Sequence, residues 1–137
     1  MTMRSFGVDF HTHPLLVREM VERHPELAEA ARQTYFIGNN FQPLATFLLE
    51  LDAAGLERAV AVPMDATASR GCTVWTNEQI AELCAMSNRF IGFASVDPRC
   101  PQATDVLRRA VRDMGLRGLK LAPPFQKFSP DDRSVFP

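Results

Sequence analysis

Short apolar segments alternate with amphipathic ones along the chain, and the alternation predicts the fold class. Four short segments are mainly apolar, and polar residues, glycine or proline bound them: 6–10, 58–63, 91–96 and 116–122. Segments of this kind are typical of strands, and those that are apolar throughout are typical of strands buried on both faces of a parallel sheet. With a helix between successive strands, the order predicts an α/β fold of about four parallel strands joined by right-handed crossovers.

Three helices are predicted between these strands from their apolar spacing and their capping residues. The first begins at Asn40, with Pro43 in its first turn. The second is capped by Thr76 or Asn77, and the third begins at Pro101. The third helix is expected to bury five apolar side chains at helical spacing: Val106, Leu107, Ala110, Val111 and Met114.

The segment 15–40 lies between the first strand and the first of these helices as an insertion. It is longer than the two to six residues of a usual strand-to-helix connection. Leu16, Met20 and Leu27 are expected on short helices, the second of which starts at Pro25. Long insertions of this kind often shape or cover a binding site. His24 also lies here, and it is interpreted as a solvated loop histidine rather than a ligand.

Length and composition predict a single globular domain over residues 1–137. The net charge of -1 gives no electrostatic argument for binding nucleic acid or an anionic membrane. No segment approaches 18 apolar residues, and the N-terminus lacks the apolar core of a signal peptide. Cys72, Cys84 and Cys100 match neither a disulfide framework nor a zinc motif. We therefore expect free thiols, two of them packed inside the fold, in a reducing cytoplasmic compartment.

Two histidines follow the first predicted strand, just before Pro14. His11 and His13 are two positions apart, so an extended backbone points both imidazoles to one face. Neutral imidazole is the commonest metal-binding side chain, and ligands in α/β folds bind at the carboxyl ends of strands. The pair therefore predicts a metal site, with two polar residues at a strand end as the simpler alternative. A glycine-rich nucleotide-binding loop is absent from the sequence.

Three other residues near predicted strand ends are interpreted as structural. Asp65 and Trp75 lie in a loop predicted over 64–75, where a loop-capping carboxylate and a packed indole are the expected roles. Asp97 precedes Pro98, and this dipeptide is common turn chemistry. Contact of Asp65 or Trp75 with a substrate, or of Asp97 with the site, is the alternative for each.

Three segments resemble a known protein family. The sequence Asp-Phe-His-Thr-His-Pro at 9–14 resembles the opening motif of the amidohydrolase superfamily. The segments 92–98 and 118–124 resemble the branch that includes amidohydrolase 2 and aminocarboxymuconate-semialdehyde decarboxylase-like proteins. The resemblance implies the N-terminal half of a (β/α)8 TIM barrel, because a whole barrel typically needs about 250 residues. It also implies a divalent metal, usually zinc, held by His11 and His13, with the remaining ligands and the catalytic base beyond this chain.

The resemblance implies a metal-dependent hydrolase that activates water against a C–N or C–O bond of a small organic substrate. A decarboxylase of the same branch is the alternative. Lys120, at the end of the fourth predicted strand, corresponds to a position where some members carry a carboxylated lysine that bridges two metals. The preferred interpretation is a lysine at the barrel mouth that hydrogen-bonds an acidic substrate or a site carboxylate.

A half-barrel would leave its first and fourth strands with open hydrogen-bonding edges. We therefore expect a homo-oligomer or a missing C-terminal half. The rival hypothesis is an inactive, truncated half-barrel that only associates with another chain. A complete four-stranded binding domain ranks last, because the two outer strands are apolar rather than polar.

Overall fold

The computed structural model of the protein describes residues 7–14, 17–36 and 41–135. The strands in this part of the chain are β1 (Gly7–Thr12), β2 (Leu56–Ala61), β3 (Met64–Ala66), β4 (Cys72–Val74), β5 (Phe90–Ala94) and β6 (Gly118–Leu119). The helices there are α1 (Arg18–Arg23), α2 (Glu26–Tyr35), α3 (Leu44–Ala53), α4 (Thr67–Arg70), α5 (Asn77–Met86), α6 (Ala103–Arg112) and α7 (Pro123–Gln126).

The main sheet confirms the predicted fold class. Its four strands lie in the order β1-β2-β5-β6, and each neighbouring pair is parallel. The sheet curls into a half-barrel, as expected of the N-terminal half of a (β/α)8 barrel. The carboxyl ends of its strands therefore meet at one edge, where a site would lie.

The two faces of the sheet can be told apart from their contacts. A Cβ added at Gly92 would lie 2.6 Å from the Leu116 side chain and 2.8 Å from that of Ile80, so this position faces the helices. Phe93, the next residue of β5, therefore faces the other way. Its ring lies over Gly118 of β6 and meets the Phe10 ring edge-on, with centroids 5.6 Å apart. These contacts define the inner, concave face of the half-barrel.

The hydrophobic core lies between the outer face of the sheet and the helices. Ala61 and Ala94 are fully buried there, as is Ile80 of α5. Phe47 of α3 stacks on Phe90, with ring centroids 5.5 Å apart. Burying a large apolar side chain stabilises a fold by roughly 1.5–3 kcal/mol, so this layer holds the strands in place.

The inner face of the half-barrel is open at β1, as expected for a half-barrel without opposing strands. Val8 is 45% exposed and Phe10 is 69% exposed. In a closed barrel, opposing strands fill the interior against such side chains. Within the described residues no such strand exists, so the inner face of β1 meets solvent.

The first predicted helix begins later than expected. α3 starts at Leu44, with Pro43 as its N-cap in an extended conformation. Proline disfavours a helical conformation in the residue before it, which explains why the helix cannot extend back through Gln42. Asn40, the predicted cap, lies outside the described residues.

The buried face of α6 is narrower than predicted. Ala110 is fully buried, and Leu107 and Met114 are half-buried. Val106 and Val111, also predicted as buried, are 43% and 49% exposed. The narrow stripe through Ala110 packs against the sheet, and no neighbouring helix of the described chain covers the flanking valines.

The segment predicted as a loop at 64–75 contains regular structure. It is a small antiparallel hairpin of β3 and β4 with α4 between them. Pro123, which bounds the fourth predicted strand, is also the first residue of the short helix α7. The fourth strand is correspondingly short, but the Lys120 N–H still donates to the Ala94 carbonyl at 2.7 Å. The hydrogen bonds between β5 and the last segment of the sheet therefore extend as far as Lys120, the residue of functional interest.

The predicted helices of the insertion are confirmed. Pro25 precedes α2, and Met20 and Leu27 are buried, whereas Leu16 lies outside the described residues. No helix in the described ranges is long and apolar enough to cross a membrane. All three cysteines are free; Cys84 is half-buried, and burial raises the pKa of its thiol to about 11.

Candidate functional site

A β-bulge at the end of β1 sets the direction of the two histidines. Asp9 pairs with Ala59 and Thr12 pairs with Ala61, so three steps along β1 oppose two along β2. Bulges of this kind re-aim side chains and are common beside active sites. Thr12 lies opposite the outward-facing Ala61, which puts His11 on the inner face, on the same side as the preceding Phe10.

The two imidazoles meet directly. Nε2 of His11 lies 3.0 Å from Nε2 of His13. The structure thus brings the predicted pair together on one side, as alternation along the strand required. Whether the pair holds a metal stays a prediction.

The tautomer of His13 follows from its other nitrogen. Nδ1 lies 3.0 Å from the carbonyl oxygen of Val62. A carbonyl can only accept, so Nδ1 must carry the hydrogen and Nε2 presents its lone pair towards His11. Burial lowers the pKa of His13 to about 4, and the nearby His11 and Lys120 act in the same direction. His13 is therefore neutral at pH 7, which is the form that binds metal.

Backbone contacts between β1 and β2 hold the Val62 carbonyl in position. The Val62 N–H donates to the Thr12 carbonyl at 3.0 Å. The Thr12 hydroxyl donates in turn to the Val60 carbonyl at 2.8 Å. The residue between the two histidines thus fastens the end of β1 to β2 and orients the imidazole of His13.

Tyr35, the last residue of α2, borders His13. Its hydroxyl oxygen lies 3.4 Å from Nδ1 of His13, and the two ring centroids are 5.3 Å apart. Burial raises the pKa of Tyr35 to about 12. Sequence reasoning missed this residue, although it is the sole tyrosine of the chain and lies in an insertion expected to shape the site.

Polar contacts anchor the insertion to α5. Nε2 of His24 lies 2.7 Å from a carboxylate oxygen of Glu82, and Gln79 donates to Glu26 at 2.9 Å. Hydrogen bonds from Arg23 and His24 hold the pKa of Glu82 below its usual value. The expectation of a solvated His24 was therefore wrong: it is half-buried and paired, because it ends α1 directly above α5.

Lys120 lies on the inner face of the half-barrel. It follows Gly118 by two residues, and Gly118 lies beneath the inner-facing ring of Phe93. Its positive charge is close enough to contribute to the lowered pKa of His13. The structure thus puts Lys120 on the same side as the histidine pair, and its contact with a substrate stays a prediction.

The described residues supply only part of a metal sphere. Among them, no three histidine, cysteine, aspartate or glutamate side chains converge on one point. Catalytic zinc generally keeps three protein ligands and structural zinc four. The imidazole pair alone therefore makes a weak site.

The three residues interpreted as structural have structural contacts. Trp75 is fully buried. Asp65 accepts from the Thr67 N–H at 3.0 Å at the start of α4. Asp97 accepts from both the backbone and the guanidinium of Arg99, which lowers the pKa of its carboxyl. These contacts agree with the structural interpretation of all three.

Fold and site together define the class: a half-barrel of parallel strands, consistent with half of a (β/α)8 barrel, with an imidazole pair at the carboxyl end of its first strand. The family model Amidohydro_2, described as amidohydrolase, matches residues 8–137. The chain therefore belongs to the amidohydrolase family. Neither the curated proteins nor the solved structures contain a significant match to it.

Proposed function

We propose that this chain is the metal-binding half of a metal-dependent hydrolase that acts on a C–N or C–O bond of a small organic substrate. The observation that carries the proposal is the meeting of two Nε2 atoms, 3.0 Å apart, beside the carboxyl end of β1. Membership of the amidohydrolase family supports it, because such proteins are usually metal-dependent.

The chemistry of the pair fits a divalent cation. Two lone pairs cannot face each other at this distance, so one Nε2 must carry a hydrogen when no metal is bound. His13 already donates through Nδ1 to Val62, so that hydrogen belongs to His11. A cation would bind both Nε2 atoms once the hydrogen of His11 lies on Nδ1, the other nitrogen of that ring, and imidazole ligands suit zinc.

A zinc ion bound there would lower the pKa of its water to about 7 and so supply hydroxide at neutral pH. The residues of this chain would position the metal ligand and the substrate. Val62 fixes the His13 ring, and Lys120 offers an ammonium to a substrate oxygen. Decarboxylation of an acidic substrate stays the alternative, since the same two residues would serve it equally well.

Zinc titration by calorimetry tests the proposal. We expect weak binding to the wild-type chain and none to His11→Ala or His13→Ala, because each variant leaves a single imidazole. His24→Ala is the matched control and should bind like the wild type. Tight one-to-one binding that survives the loss of His11 would refute the assignment.

A second observation concerns association. The inner face exposes Phe10 and Val8, and β1 and β6 form the two edges of the described sheet. We propose that a second copy of the chain covers this face. Around a two-fold axis, β6 of one copy would run parallel to β1 of the other. This pairing would bring Asp9, on the edge strand β1 of one copy, towards Arg117, which precedes β6 of the other.

Sedimentation measures this association. A dimer is expected for the wild type, with dissociation on Phe10→Ser and no change on Leu49→Ser, because Leu49 is equally exposed (66%) but lies on α3. A stable wild-type monomer would contradict the association, though not the metal site.

A further inference from the structure

We propose that Tyr35 is a substrate-contacting residue of this site. Its hydroxyl and the Lys120 ammonium would together bind an anionic oxygen group, a carboxylate, on the molecule that lies against the histidine pair. The inference rests on the proposed function only for the reaction that the bound molecule would undergo. The anion site itself is argued from the donors around His13.

In the part of the chain that the structure describes, the hydroxyl of Tyr35 has no acceptor for its proton. It lies 3.4 Å from Nδ1 of His13, but that nitrogen already carries a hydrogen, which it donates to Val62 at 3.0 Å. The phenol oxygen can therefore accept weakly from His13 but cannot donate to it. Within the described residues no other partner of this hydroxyl exists, so a half-buried donor remains available to a ligand.

The position of this donor is firmly set. α2 buries Leu27, Ala31 and Thr34 against the body of the protein. Its first turn is tied to α5 by the hydrogen bond between Gln79 and Glu26. A donor at the end of a packed helix keeps its geometry better than one on a loop, which is what recognition of a ligand requires.

Lys120 supplies the second donor and the charge. No ion pair within the described residues involves it. An ammonium group can only donate, and a hydroxyl whose oxygen faces an N–H still has its own hydrogen to donate. The surroundings of His13 therefore offer donors and positive charge, which select an acceptor with negative charge over a neutral one.

Binding of benzoate, compared with the neutral isostere benzamide, tests the inference. We expect the wild-type chain to bind benzoate more tightly than benzamide, in the presence and absence of zinc. Tyr35→Phe keeps the ring against His13 and should weaken benzoate binding about tenfold to a hundredfold, the value of one hydrogen bond to a charged group. Lys120→Met should weaken it further, whereas the exposed Lys127→Met should have no effect.

The zinc affinity of each variant separates the possible outcomes. If Tyr35→Phe lowers zinc affinity but leaves benzoate binding unchanged, Tyr35 merely supports His13 and the inference is overturned. Absence of benzoate binding to the wild type also overturns it. If zinc does not bind at all but Tyr35→Phe and Lys120→Met weaken benzoate binding, the proposed metal function fails and the anion site stands.

Discussion

The assignment of two faces to the half-barrel can be tested with a pair of glycines. Gly92 faces the helices, and Gly118 faces the open concave side. In both places an added Cβ would meet neighbouring side chains at less than 3.0 Å. Neither residue has a positive φ, so replacement by alanine introduces no backbone strain. The difference between the two variants therefore measures how freely each face can adjust.

The expected cost at Gly92 follows from its neighbours. The new methyl group would lie 2.6 Å from Leu116, 2.8 Å from Ile80 and 2.9 Å from Cys84, and the first two are almost fully buried. Overpacking a core of this kind typically costs about 1–3 kcal/mol. Alanine in a strand regains roughly 0.5–1 kcal/mol over glycine, so Gly92→Ala should lower the free energy of unfolding by about 1–2 kcal/mol.

Gly118→Ala is the matched control. The nearest atoms to its methyl group would be those at the tip of the Phe93 ring, which can move towards the open inner face. We expect a change within about 1 kcal/mol, measured for both variants by urea unfolding at pH 7. Equal losses at both positions, or a larger loss at Gly118, would refute the assignment of open and packed faces.

Three further predictions concern individual side chains. The pKa of His13 is lowered from 6.5 to about 4 in the fold, so its contribution to stability is present above pH 6.5 and lost as the pH falls towards 4. Thermal melts should show this fall in stability, and His13→Asn should make the melting temperature less dependent on pH in this range. Thr76 caps α5 in a capping box, so Thr76→Ala should cost about 1 kcal/mol in urea unfolding, whereas the exposed Thr104→Ala should cost little. The Cys84 thiol, with its pKa raised to about 11, should resist iodoacetamide at pH 8, while the exposed Cys100 reacts; equal rates would contradict its burial.

Local patterns in the sequence determined the order of elements. Runs of apolar residues, Thr76 before α5 and Pro25 before α2 act on neighbouring backbone, so strands and helices could be predicted without knowing their partners. An extended backbone also puts His11 and His13 on a common side, although the β-bulge at the end of β1 decides that this is the inner side. The motifs around them were enough to suggest a half-barrel.

The tertiary structure alone decided how the site is built. Tyr35 and Val62 approach His13 only because α2 and β2 fold back beside β1, from 22 and 49 residues away. The exposure of Phe10 likewise depends on which strands lie opposite it, and an apolar sequence is the same whether that side is covered or open. Local chemistry thus determined the elements and their order, while the tautomer of His13, its donor neighbours and the open inner face arose from contacts between distant segments.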